Sequence, residues 1–92
     1  MAWKCIGFAT DSDLAAASTL PSVPSGCDVA LVTPEGGAVR WRADGTDPTN
    51  DVGHYLAATS TLEWRGPFDT IKFIEDDAAQ TPGITVSYFV FG

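Results

Sequence analysis

The sequence predicts an all-β fold: an antiparallel β-sandwich or jelly-roll-like barrel, with at most one short helix. Three observations carry that prediction. Short segments rich in β-branched and aromatic residues recur at intervals of about eight to twelve residues, the spacing of sandwich and barrel strands. Several of them alternate apolar and polar side chains, and neighbours on an extended chain point to opposite faces. Nine Gly and six Pro punctuate the chain between these segments and leave little room for long helices.

Trp3 to Ala9 is rich in β-formers and bounded by Thr10 and Asp11, which reads as an opening strand. Asp11 to Ser18 begins with good helix N-cap residues and runs through alanines. It fits one or two helical turns, a loop or a short strand. Pro21, Pro24, Ser25 and Gly26 then force a turn. Cys27 to Thr33 alternates Val29 and Leu31 with Asp28 and Ala30, a strand that ends at Pro34-Glu35-Gly36-Gly37. That tetrapeptide predicts a hairpin whose second strand is Ala38 to Ala43.

The chain is organised around Gly37 to Leu56. Val39 and Trp41 take one face of a strand and Arg40 and Arg42 the other. Asp44 to Asp51 then supplies turn-formers in quick succession: Gly45 for positive φ, Pro48 for a fixed φ, Asp and Asn for local backbone bonds. Val52 to Ala58 is apolar enough to pack. Thr61 to Arg65 alternates Leu62 and Trp64 with Glu63 and Arg65, and Gly66-Pro67 breaks it. Thr70 to Ile74 resumes the strand pattern, Glu75-Asp76-Asp77 reads as a solvated turn, and Ile84 to Phe91 is the strongest strand in the chain. Its first face carries Ile84, Val86, Tyr88 and Val90. The other turns apolar only at Phe89 and Phe91, which predicts contact with another subunit or with the opening strand.

Ninety-two residues with 45% apolar content make one domain, 1–92, with a modest core that oligomerisation would help. A formal net charge of −7 disfavours nucleic acid and anionic membranes as partners. No apolar run approaches the ~20 residues that cross a bilayer, and Met1 to Lys4 does not read as a signal peptide, so synthesis in the cytoplasm is expected. Cys5 and Cys27 could pair, but two cysteines in a cytosolic chain more often stay free, and their spacing fits no zinc motif.

Val39-Arg40-Trp41-Arg42-Ala43-Asp44-Gly45-Thr46-Asp47-Pro48-Thr49, followed by Val52-Gly53, Ile71-Lys72-Phe73-Ile74 and a final Val86-Ser87-Tyr88, resembles small structural proteins of tailed bacteriophages and prophages. The resemblance spans Leu20 to Gly92. It implies a β-sandwich accessory of the virion, working by assembly with other virion proteins rather than by catalysis. The Asp-Gly-Thr-x-Pro-Thr turn is also similar to that of chitobiase C-terminal-type domains, which implies a glycan-binding module. That family usually places Tyr-Thr before the Asp-Gly, where this chain has Trp41-Arg42-Ala43.

No catalytic residue, metal or cofactor is expected. His54 is the single histidine and has no motif around it. Asp44, Asp47, Asn50 and Asp51 could offer oxygens to calcium, but the alternating register of an EF-hand is missing and turn chemistry accounts for them. Trp3, Trp41 and Trp64 are the candidates for stacking on sugar rings, although Trp41 and Trp64 sit on the apolar phase of their strands and read as core. Arg40, Arg42 and Arg65 fall on the opposite phase and could form a basic strip that fixes the register of a subunit contact. The expectation is therefore a non-enzymatic phage virion protein, located in the virion and homo-oligomeric, burying Phe89 and Phe91 against another subunit. A small carbohydrate-binding module is the alternative.

Overall fold

A computed structural model describes residues 2–91. Its strands are β1 (Trp3–Asp11), β2 (Ser18–Thr19), β3 (Val29–Glu35), β4 (Val39–Arg42), β5 (His54–Leu56), β6 (Leu62–Trp64), β7 (Lys72–Glu75) and β8 (Gly83–Phe91). They form two packed four-stranded sheets, ordered β1-β8-β3-β6 and β2-β7-β4-β5, with every ladder antiparallel. The fold is the all-β sandwich that the alternation and turn spacing predict.

The strand order has a simple origin. The ladders β1·β8, β2·β7, β3·β6 and β4·β5 pair the chain from its two ends inward, as one long hairpin. Rolling that hairpin until β3 meets β8 and β4 meets β7 closes both sheets. This is the jelly-roll order. Its tip is the polar loop between β4 and β5, so the stretch from Gly37 to Leu56 turns the whole chain back on itself.

The roll also overturns two local expectations. Pro34 to Gly37 does not close a hairpin, because β3 and β4 lie in different sheets and the segment arches between them. Turn chemistry is the same for an arch and a hairpin; the seven-residue pairing of β3 with β8 decides which one forms. The helical option for Asp11 to Ser18 is not taken either. β1 continues to Asp11, Leu14 drops into the core at 1% exposure, and β2 begins at Ser18. An alanine run too short to hold a helix yields to burial of its one large apolar residue.

The core lies between the sheets. Ala30, Val32, Ile84, Val86 and Tyr88 enter it from the first sheet, Val39 and Phe73 from the second, and Leu14, Leu20 and Ile71 from the connections. Tyr88 is fully buried with its hydroxyl donating to the Pro21 carbonyl, and burial pushes the phenol up to about 12. Trp41 and Trp64 are half-buried against this core and meet edge-to-face across the two sheets at 5.7 Å. Glu75 departs from the expected solvated turn: it ends β7 at 8% exposure, while Asp76 beyond it is half-buried against Arg40.

Candidate functional site

The outer face of the first sheet gathers the unburied aromatics Trp3, Phe8, Phe89 and Phe91, while the exposed Tyr55 lies on β5 of the second sheet. Trp3 pairs with Phe91 and Cys5 with Phe89 across β1 and β8, placing all four on the phase opposite Tyr88 and Val86. The Trp3 ring lies 5.6 Å from Phe89 and 5.7 Å from Phe91. Arg65, just beyond β6, lays its guanidinium over both Trp3, at 5.8 Å, and Phe91, at 5.3 Å, while its Nε donates to Glu63 Oε2 at 2.8 Å. A planar cation held over aromatic faces and tied to a carboxylate is a pre-ordered arrangement. Of the two contacts expected for Phe89 and Phe91, the one with the opening strand is thus present within the chain.

Phe8 extends this face. Opposite Ser87 on β8, it is 65% exposed, the most exposed large apolar side chain among the described residues. Sequence reasoning missed it because β1 carries apolar residues on both phases. A bulge between Cys5 and Gly7 shifts the alternation midway, so simple period-two counting cannot assign its faces.

The three arginines do not form one strip. Arg65 belongs to the first sheet's outer face; Arg40 and Arg42, on β4, belong to the second sheet. Each is already tied to a carboxylate: Arg40 Nε to Asp76 Oδ1 at 2.7 Å, Arg42 to Asp44, Arg65 to Glu63. Arg40 also donates to the Gly53 carbonyl at 3.3 Å and lies over the Tyr55 ring at 5.3 Å. Lys72 pairs with Asp47 at 2.8 Å. These contacts knit the second sheet to the tip loop.

The carboxylates and amide of the tip loop point to different partners. Asp44 accepts from Arg42 and from the Thr46 N–H, and the Arg42 side chain, foremost, holds its carboxyl below the ordinary value of 3.8. Asn50 donates to the Glu75 carbonyl at 3.2 Å, and Pro48 is fully buried. The ordering role read from sequence is therefore the one these side chains fill. His54 stacks on Trp41 at 4.5 Å, and with Arg42, Ala43 and Asp44 the pair lines an open cleft of about 380 Å³. Trp64 donates its Nε1–H to the Pro67 carbonyl at 2.8 Å and sets its ring against Trp41. Cys5 and Cys27 are both free thiols.

No protein-family model, curated protein or solved structure matches the chain.

Proposed function

We propose that this protein is a non-enzymatic structural accessory of a tailed-bacteriophage virion, docking to capsid or tail proteins through the aromatic outer face of its first sheet. The observation that carries the reading is the ordered cluster of Trp3, Phe89, Phe91 and Arg65 on the surface of an otherwise acidic jelly roll. Aromatic and arginine side chains held rigid on a flat face are what protein interfaces use as anchors. The stretch from Val39 to Thr49 supports the virion assignment by its likeness to phage structural proteins, and jelly rolls are a recurrent capsid architecture. The arginines on β4 take a different part from the one expected of them: Arg40 and Arg42 hold the tip loop, and Arg65 alone belongs to the docking face.

Quantitative mass spectrometry of purified particles tests the reading. A fixed ratio of this chain to the major capsid protein is expected, high for a capsid-surface accessory and low for a tail component. Absence from intact particles would reject it. The second reading, a glycan-binding module, is favoured by the cleft beside Trp41, His54, Arg42 and Asp44, a size within the range of small-ligand sites. Titration with oligosaccharides should then shift tryptophan fluorescence, and a flat titration would remove it.

A further inference from the structure

We infer that two copies of this chain pair through β1, edge to edge and antiparallel, about a two-fold axis at Phe8. The inference concerns self-association and stands apart from where the protein resides. Among the described residues the sheets have four edge strands, and three are short: β2 has two residues, β5 and β6 three each. Short edges resist strand addition. β1 is the exception, nine residues long, and no backbone hydrogen bond reaches it from a described residue outside β8. It carries Trp3, Cys5 and Phe8 exposed on its outer phase.

The charges on β1 select both the partner and the register. Counted on the β8 ladder, Phe8 faces Ser87, Lys4 faces Val90 and Asp11 faces Ile84. Lys4 and Asp11 therefore stand three rungs from Phe8 on either side (Ser87 to Val90, Ser87 to Ile84), and on the same face as each other. By residue number the two distances differ by one, and the bulge between Cys5 and Gly7 absorbs that residue. A second copy paired about Phe8 sets Lys4 opposite Asp11 of the second copy at one end and repeats the pair at the other. Phe8 then meets its own counterpart on the outer face, a cross-strand aromatic pair. Lys4 is the one basic side chain with no carboxylate partner among the described residues, whereas Arg40, Arg42, Arg65 and Lys72 are all engaged. The interface is isologous and closes at two copies.

Sedimentation of the isolated full-length chain across a concentration series reads the result directly. The wild type should form a dimer. Phe8→Asp, which sets two carboxylates against each other at the axis, should leave a monomer with an unchanged circular dichroism spectrum, since Phe8 lies outside the core. Lys4→Asp should weaken the dimer about tenfold at low salt by turning two opposite-charge pairs into like-charge ones. Adding Asp11→Lys to Lys4→Asp should restore it, which a merely structural role for either residue would not do. A wild type that stays monomeric at its highest soluble concentration overturns the inference. So does a dimer indifferent to both single changes, because it uses another surface, and so does failure of the double reversal to rescue. If Phe8→Asp does not fold, the charge-reversal series decides. Particle composition, measured separately, bears on the virion reading and not on this one.

Discussion

Tyr88→Phe isolates one buried hydroxyl, and its effect should change with pH. The Tyr88 ring is fully buried between the sheets, and its hydroxyl is the donor that satisfies the Pro21 carbonyl. Removing it leaves that acceptor without its partner at a cost of about 1 to 2 kcal/mol near neutrality. The phenol proton adds a second effect. Its folded pKa is raised from 10.0 to about 12, first by burial and then by the nearby Cys27. Below pH 10 both folded and unfolded chains keep the proton and the full contribution is present. Between pH 10 and about 12 the unfolded chain alone releases it, binds fewer protons than the native state, and so gains stability relative to it as pH rises. Two pH units correspond to about 3 kcal/mol lost by the wild type across that window. Urea unfolding followed by far-ultraviolet circular dichroism, from pH 8 to 11.5, compares the two proteins while the other titrating groups cancel. The wild type should begin more stable, and the two curves should converge near pH 11.5. A gap that stays constant across the series would refute the claim that the Tyr88 phenol is held neutral by burial.

Three other outcomes follow from local geometry. Gly53 has φ +141°, and a Cβ there would lie 3.1 Å from the Trp41 carbonyl oxygen; Gly53→Ala should cost more than about 1 kcal/mol in chemical unfolding and loosen the tip loop. Carbon-detected titration should place the Asp44 carboxyl below its ordinary 3.8, and Arg42→Ala should move it back up, because the Arg42 hydrogen bond is the chief cause of the depression. Trp3 is 39% exposed while Trp41 and Trp64 are half-buried, so Trp3→Phe should remove the fluorescence component most accessible to acrylamide.

Most strands were legible in the sequence because alternation and turn residues are local signals, although β3 turns Ala30 and Val32 into the core rather than the expected phase of Val29 and Leu31. Leu62-Glu63-Trp64 and Ile84 to Tyr88 show the phase on which they bury, and the structure keeps it. Pairing was not legible. Pro34 to Gly37 has the residues of a hairpin turn, yet the partners of β3 are β6 and β8, residues far along the chain that no local pattern can name. The same gap misplaced the arginines. Arg42 and Arg65 share a phase relative to their neighbouring tryptophans, but phase says nothing about which sheet a strand joins. Trp41 and Trp64 did converge, since both point into the space between the sheets. Glu75 shares its local pattern with the acidic pair that follows it, and its burial comes from a ladder position opposite Val39.

Pairing through β1 would also change how the aromatic face works. A two-fold axis perpendicular to a sheet keeps both copies' outer faces on the same side. The two clusters of Trp3, Phe89, Phe91 and Arg65 would then lie on one continuous surface eight strands wide, with the Phe8 pair between them. On the proposed virion reading, such a dimer would engage two adjacent subunits of a repeating lattice at once, and the second contact would form at a high effective concentration. Avidity of that kind strengthens binding by about 10² to 10⁴ without any new contact. Lys4 lies opposite Val90, on the phase away from the aromatic clusters and Phe8, so at a concentration where the wild type pairs and Lys4→Asp does not, that variant keeps the docking face intact and loses only the pairing. Its binding to purified particles that lack this protein should therefore fall at least about 100-fold below that of the wild type, at the lower end of the avidity range. Equal binding by monomer and dimer would mean that each copy docks alone, and the paired face would have no part in attachment.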